Sequence, residues 1–183
     1  DLLRLLPGYD PFVHADGCWF DIEAAKQTIE FIEECICHVE GEKAGKLFLL
    51  ERWQKAFVAN LFGWKMIDSE GREVRRFREA LLYVSRKSGK TPLVAAIALC
   101  VFFCDPEAGQ QDYVAAASRD QAGALFRQIK GMVTQEPELD GRCTIYGGNA
   151  QAGQSKSVVK PDNSFLRVIS AEAHTQHSGN SHL

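Results

Sequence analysis

No apolar run in this sequence is long enough to cross a membrane: the longest, from about Leu93 to Phe103, is about half of the ~20 residues that a spanning helix needs. It reads instead as a buried helix. The first residues, Asp1-Leu2-Leu3-Arg4, lack the charged start, the long apolar stretch and the small-residue cleavage site of a secretory leader, and the absence of an initial Met is what a fragment of a longer protein would show. Excess charge of either sign is also missing. With 21 basic against 24 acidic residues the net charge is −3, so nothing in the total marks a general nucleic-acid binder, and any phosphate chemistry must be local. Repeats and low-complexity tracts are absent. Six cysteines in 183 residues are too sparse for a stapled scaffold in a chain this well supplied with core residues, so reduced, intracellular thiols are expected. Hydrophobic residues at 45% and charged residues at 25% exclude global disorder, and the length fits about one domain at roughly 150 residues each.

Residues 1–20, rich in Pro, Gly and aromatics, have no sustained period and read as an irregular lead-in packed down by Phe12, Trp19 and Phe20. From the N-cap candidate Asp21, apolar residues at Ile22, Ala25, Ile29, Ile32, Ile36 and Val39 mark one helical face, which ends at Gly41. A second helix is expected over about residues 51–62, with Trp53, Phe57, Val58 and Leu61 inward, Gln54 beside that face, and a stop at Gly63. A hairpin follows, residues 64–67 leading into the turn Asp68-Ser69-Glu70-Gly71, then a basic run and the apolar segment Ala80-Leu81-Leu82-Tyr83-Val84, which reads as a buried strand. After a polar loop, the chain from Pro92 to about Cys104 is apolar and helical. A strand over residues 113–117, a helix over about 119–134 and a strand or hairpin near 144–146 complete an alternation that predicts an α/β fold with a parallel sheet covered by helices.

The informative spacing is Gly89-Lys90-Thr91 at the mouth of a helix, behind a strand and a short polar loop. Backbone N–H groups at a helix start lack intrahelical partners and carry partial positive charge, so they can surround an anion. Gly89 allows close approach, Lys90 can place its ammonium on β- and γ-phosphates, and the Thr91 hydroxyl can join a Mg²⁺ shell. Val84 stands where the usual phosphate-loop pattern has its first Gly. Gly-Lys-Thr alone is common in solvated loops; the apolar strand before it and the apolar helix after it favour nucleotide binding. Arg86 and Lys87 add cations, and the Arg86 guanidinium suits charge that develops during γ-phosphoryl transfer better than Lys87 does.

The run Val84-Ser85-Arg86-Lys87-Ser88-Gly89-Lys90-Thr91 resembles the loop of the terminase-like ATPases, the large terminase subunits of tailed double-stranded DNA phages. The stretch from Glu51-Arg52-Trp53-Gln54-Lys55 to Asn60-Leu61-Phe62-Gly63-Trp64 is similar to that family's adenine-contacting segment; Arg75-Arg76-Phe77-Arg78-Glu79, residues 115–122 and Ser170-Ala171-Glu172 extend the likeness over most of residues 45–183. The resemblance implies a P-loop ATPase motor domain at residues 45–183 behind a packed lead-in and helix at 1–44. It implies catalytic Lys90 and Arg86, ATP contacts from Gln54, Arg86, Lys87, Ser88, Gly89, Lys90 and Thr91, Mg²⁺ held through Thr91, and adenine read by Gln54. For the intact protein it implies double-stranded DNA, a portal protein and a small terminase subunit as partners, a homo-oligomeric ring, no membrane, and work in the host cytoplasm.

Hydrolysis by such a loop needs a strand ending in an acidic pair. The nearest candidate, Phe165-Leu166-Arg167-Val168-Ile169-Ser170-Ala171-Glu172, is interrupted by Arg167, and in the resembled family the acidic strand follows a segment like residues 178–183. The expectation is an incomplete sheet with an unpaired edge and a chain that binds ATP and Mg²⁺ but lacks that strand and the nuclease domain. A helicase-like nucleic-acid translocase and a non-hydrolysing nucleotide-binding assembly module are the alternatives. Arg72, Arg75, Arg76 and Arg78 suit DNA, a neighbouring subunit's nucleotide, or a solvated strand edge paired with Glu73 and Glu79. Cys35-x-Cys37-His38 and His174-x-x-His177 lack zinc-site spacing, with Cys35 and Cys37 pointing apart on a helix, and Cys100 with Cys104 reads as a pair of core fillers.

Overall fold

The computed structural model describes residues 2–105, 107–147 and 156–171. Its elements are β1 (Cys18–Phe20), α1 (Ile22–Cys35), α2 (Arg52–Gly63), β2 (Trp64–Ile67), β3 (Glu73–Arg75), α3 (Lys90–Cys104), β4 (Gln111–Ala116), α4 (Arg119–Gln135), α5 (Pro137–Asp140), β5 (Thr144–Tyr146), β6 (Lys156–Val159) and β7 (Phe165–Ser170).

Asp21 caps α1 as expected, and α4 has a side-chain cap of its own. Asp21 accepts from the Ala24 N–H at 3.0 Å, Ser118 accepts from the Gln121 N–H at 3.2 Å, and Glu51 precedes α2. The first helix ends at Cys35, six residues before the expected stop. Ile36 turns extended, its carbonyl accepts from the Phe48 N–H at 2.7 Å, and Cys37 bridges Leu47. Ile36 stays fully buried although it has left the helix, so the apolar spacing ran past the true end. The lead-in also contributes a strand: β1 pairs with β2, and β2 with β3, in a small antiparallel sheet. Phe12 and Phe20 pack edge-on against Trp64 at 5.5 and 5.6 Å, and Trp19, like Phe12, is left partly exposed.

The larger sheet has the order β4-β7-β6-β5. It is mixed rather than all parallel: β4 runs with β7, while β6 opposes both β7 and β5. The long excursion through α4 permits a parallel return, whereas the short connection over residues 160–164 forces an antiparallel neighbour. The segment around Arg167 is thus a strand flanked on both sides, its Leu166 and Val168 buried toward the helices and its Arg167 on the opposite face. α3 is apolar all round because it is enclosed, touching α1, α4, β4 and β7 and burying Leu93, Leu99 and Phe102 completely. Cys100 fills core as expected, but Cys104 is exposed. Ile32 and Ile36 share this core, so α1 and the residue that follows it are packed into the same body as α3 and α4.

Residues 80–84 do not form the expected strand. Leu82 and Val84 are half-buried, but Leu81 is 91% and Tyr83 96% exposed. β propensity without a hydrogen-bonded neighbour does not make a strand, and among the described residues none pairs with this segment. Glu172, His174, His177 and residues 178–183 lie outside the described residues. Among the described residues no helix is long and apolar enough to cross a membrane.

Candidate functional site

The loop from Val84 to Thr91 is held from three directions. Ser88 Oγ donates to the Ser85 carbonyl at 2.9 Å and lies 2.8 Å from Ser85 Oγ, which closes the turn. Lys90 Nζ reaches back across the loop and donates to the Val84 carbonyl at 2.9 Å. Gly89 caps α3 in the left-handed region, φ 74° and ψ 22°, and Lys87 two residues earlier is also left-handed at φ 66°. Left-handed residues set between others turn successive N–H groups toward one concavity, the geometry that receives anions at the head of a helix.

That concavity opens on a cavity of 760 Å³. Arg86, Lys87, Gly89, Lys90, Thr91 and Pro92 form one wall; His38, Val39, Glu40, Gly41 and Gln128 form the other. Five of the seven residues expected at the nucleotide are therefore together. Ser88 instead faces a second, largely apolar cavity of 630 Å³ between the lead-in, α2 and residues 77–85. Gln54 stands behind the loop. It is 3% exposed, its Oε1 accepts from the Glu51 N–H at 2.8 Å, and its Nε2 is 3.6 Å from where a Cβ on Gly89 would stand. The helical pattern placed Gln54 beside the inward face; it is enclosed because the loop folds over α2. Half of its carboxamide is spent on capping that helix, so a two-point contact with adenine requires breaking the cap.

Electrostatically the mouth is positive. Arg86, Lys87 and Lys90 are exposed, and Glu40 across the cavity lies 3.9 Å from Arg127. Thr91 is exposed, and no described residue engages its hydroxyl. Burial pushes the His38 imidazole below its ordinary pKa and the Lys43 charge adds to this, so the ring, packed edge-on against Phe48 at 4.7 Å, is held neutral. The facing wall escaped the sequence reading. Its one available signal was Gln128, a polar side chain in the α4 stripe that also buries Leu125, Ile129 and Met132.

Arg72, Arg75 and Arg76 of the arginine cluster are engaged within the chain, and among the described residues none of them pairs with Glu73 or Glu79, which was one of the three alternatives. Arg72 pairs with Asp68 and Glu70 at 2.8 and 2.9 Å, and Arg75 with Asp105 at 3.3 Å. Arg76 donates to the carbonyls of Pro11, Val13 and His14, and its guanidinium lies over Trp64, clamping the lead-in to the small sheet. Glu73 pairs with Lys65 at 3.8 Å.

Comparison with known proteins gives concordant results. The family model for the ATPase domain of the terminase large subunit matches residues 52–174, more than half of the chain. The large terminase subunit of Enterobacteria phage HK97 is 30% identical over 154 residues, covering 83% of this chain and 28% of that protein. The crystal structure of the HK97 bacteriophage large terminase superposes with a TM-score of 0.63 at 29% identity, over 84% of this chain and 28% of that one. This chain thus spans little more than a quarter of the length of these relatives. On the family match and the shared fold together, the chain belongs to the terminase large subunit ATPase domain family.

Proposed function

We propose that this chain is the ATP-binding part of a DNA-packaging motor, with residues 45–183 as the motor domain and residues 1–44 as its packed lead-in. The observation that carries the reading is the left-handed Gly89 at the head of α3, with Arg86, Lys87, Lys90 and Thr91 turned to one cavity. On this reading the backbone amides and the Lys90 ammonium hold the β- and γ-phosphates, the ammonium exchanging the Val84 carbonyl for phosphate oxygens. Arg86, which has no partner among the described residues, is the cation for charge that develops on the γ-phosphate, and Lys87 adds a further positive charge at the mouth. Ser88 serves by closing the loop turn and Gln54 by backing Gly89.

The Thr91 hydroxyl fits a Mg²⁺ site. Mg²⁺ takes hard oxygen ligands, keeps several waters and needs few protein donors when phosphates supply the rest, and this hydroxyl is exposed on the cavity. Bound there, the ion would neutralise phosphate charge. In the longer protein this site would power movement of double-stranded DNA into a procapsid, in a ring on the portal with a small terminase subunit, in the host cytoplasm. Calorimetric titration with Mg-ATP tests the binding step. The wild-type chain binds, and Lys90→Ala weakens binding about a hundredfold while its circular dichroism is unchanged; a Lys90→Ala chain that titrates like the wild type overturns the reading.

A further inference from the structure

We propose that Cys104 and Cys100 form a covalent modification site at the C-terminal end of α3: Cys104 attacks a small polar disulfide, and Cys100 then displaces the captured thiol. Cys104 is the last residue of α3 and the one exposed cysteine among the described residues, whereas Cys100, one turn earlier, is 2% exposed. Residues four apart on a helix lie on one face, and both thiols line a single cavity of 370 Å³. The same cavity is lined by the ion pairs Lys65 with Glu73 at 3.8 Å and Arg75 with Asp105 at 3.3 Å, so a polar molecule can enter it. Metal binding does not account for the pair, because no group of three Cys, His, Asp or Glu residues able to hold an ion occurs among the described residues.

The two thiols are unequal, and the inequality assigns the order of events. A hydrogen bond from Cys100 and the Arg142 charge hold the Cys104 thiol below its ordinary pKa, against burial and the Asp105 charge. The same bond and burial push Cys100 up. Burial also raises Cys35, and raises Cys143 to about 11. Thiolate is the attacking form, so the first step falls to Cys104. Its sulfur bonds to one sulfur of the small disulfide, the original S–S bond breaks, and a thiolate leaves with the electron pair. Cys100 gives its proton to that thiolate and attacks the Cys104 sulfur; the second thiolate leaves and takes a proton from water. Two protein thiols are oxidised and one disulfide is reduced to two thiols. Four residues of helix set Cα atoms about 6 Å apart, inside the ~4.4–6.8 Å that disulfides span. Asp105 is already extended, φ −74° and ψ 129°, so the last turn can adjust.

The test incubates the full 183-residue chain with oxidised glutathione, quenches with N-ethylmaleimide, and reads intact mass and mapped peptides. The wild type first gains one glutathione at Cys104, then becomes a chain two hydrogens lighter with Cys100 joined to Cys104, and dithiothreitol restores it. Cys100→Ser and Cys100→Ala stop at the Cys104 adduct. Cys104→Ser forms no bridge and gains glutathione about tenfold more slowly than the wild type. Because position 104 is exposed, this last variant decides the first step whatever the buried Cys100 variants do to folding. A first adduct on another cysteine, a Cys104 adduct that persists in the wild type, a bridge from Cys104 to a different cysteine, or no reaction at all each overturns the site.

Discussion

At the scale of single residues, the loop depends on backbone that most side chains avoid. Left-handed φ costs an L residue about 1–2 kcal/mol relative to its preferred region, and glycine escapes that cost at position 89 while Lys87 bears it. The strain at Lys87 is part of the turn that brings the loop to the head of α3, so shape is exchanged for a little stability. His38, on the facing wall, makes stability depend on pH. Its folded pKa lies below the unfolded value of about 6.5, so between the two the unfolded chain binds more protons. Stability from this residue is complete above about pH 6.5 and is lost as pH falls through the lower, folded value. Chemical denaturation at pH 7.5 and at progressively more acid pH will show the wild type weakening, and His38→Gln will weaken with a shallower slope over the same interval.

At the scale of elements, the cavity exists because segments far apart in sequence are pinned to one another. The Glu33 carboxylate on α1 accepts from the Leu50 N–H at 2.7 Å and from Lys55 Nζ at 2.8 Å, which fixes the path into α2 and with it the capping Gln54. The wall at residues 38–41 is seated differently: Val39 fills a notch on α4 at Gly131, where any Cβ would overlap the valine side chain. Gly131→Ala should therefore destabilise the fold by about 1–3 kcal/mol, as overpacking does, and weaken Mg-ATP binding by displacing the wall. Val39→Ala in the same chain should restore part of both, because the clash partner has been shortened. A double-mutant cycle on melting and on titration measures that coupling, and strictly additive effects would contradict the notch.

At the scale of the whole molecule, residues 80–84 expose Leu81 and Tyr83 on backbone that pairs with none of the described strands. Exposed apolar chain whose backbone is not held in a strand ladder is a template for intermolecular pairing. The isolated chain is expected to self-associate with rising concentration, and Leu81→Lys with Tyr83→Lys to remain dispersed; sedimentation velocity over a concentration series decides this, with equal association of the two chains counting against it.

What the sequence by itself determined is what depends on near neighbours: the cap at Asp21, the apolar helix from Pro92 to about Cys104, the turn after Ile67, and the Gly89-Lys90-Thr91 loop with its positive mouth. Each is fixed by contacts within a few positions, so local chemistry suffices to read it. Only the tertiary structure decided the rest. Ile36 is core without being helix because Phe48 draws its carbonyl aside, Gln54 faces the loop because that loop folds over it, and the sheet is mixed because chain length between strands permits or forbids a crossover. Residues 80–84 stay irregular and Gln128 gains a cavity for one reason: strands and sites are made by partners distant in sequence, and a side chain's own identity does not say who they will be.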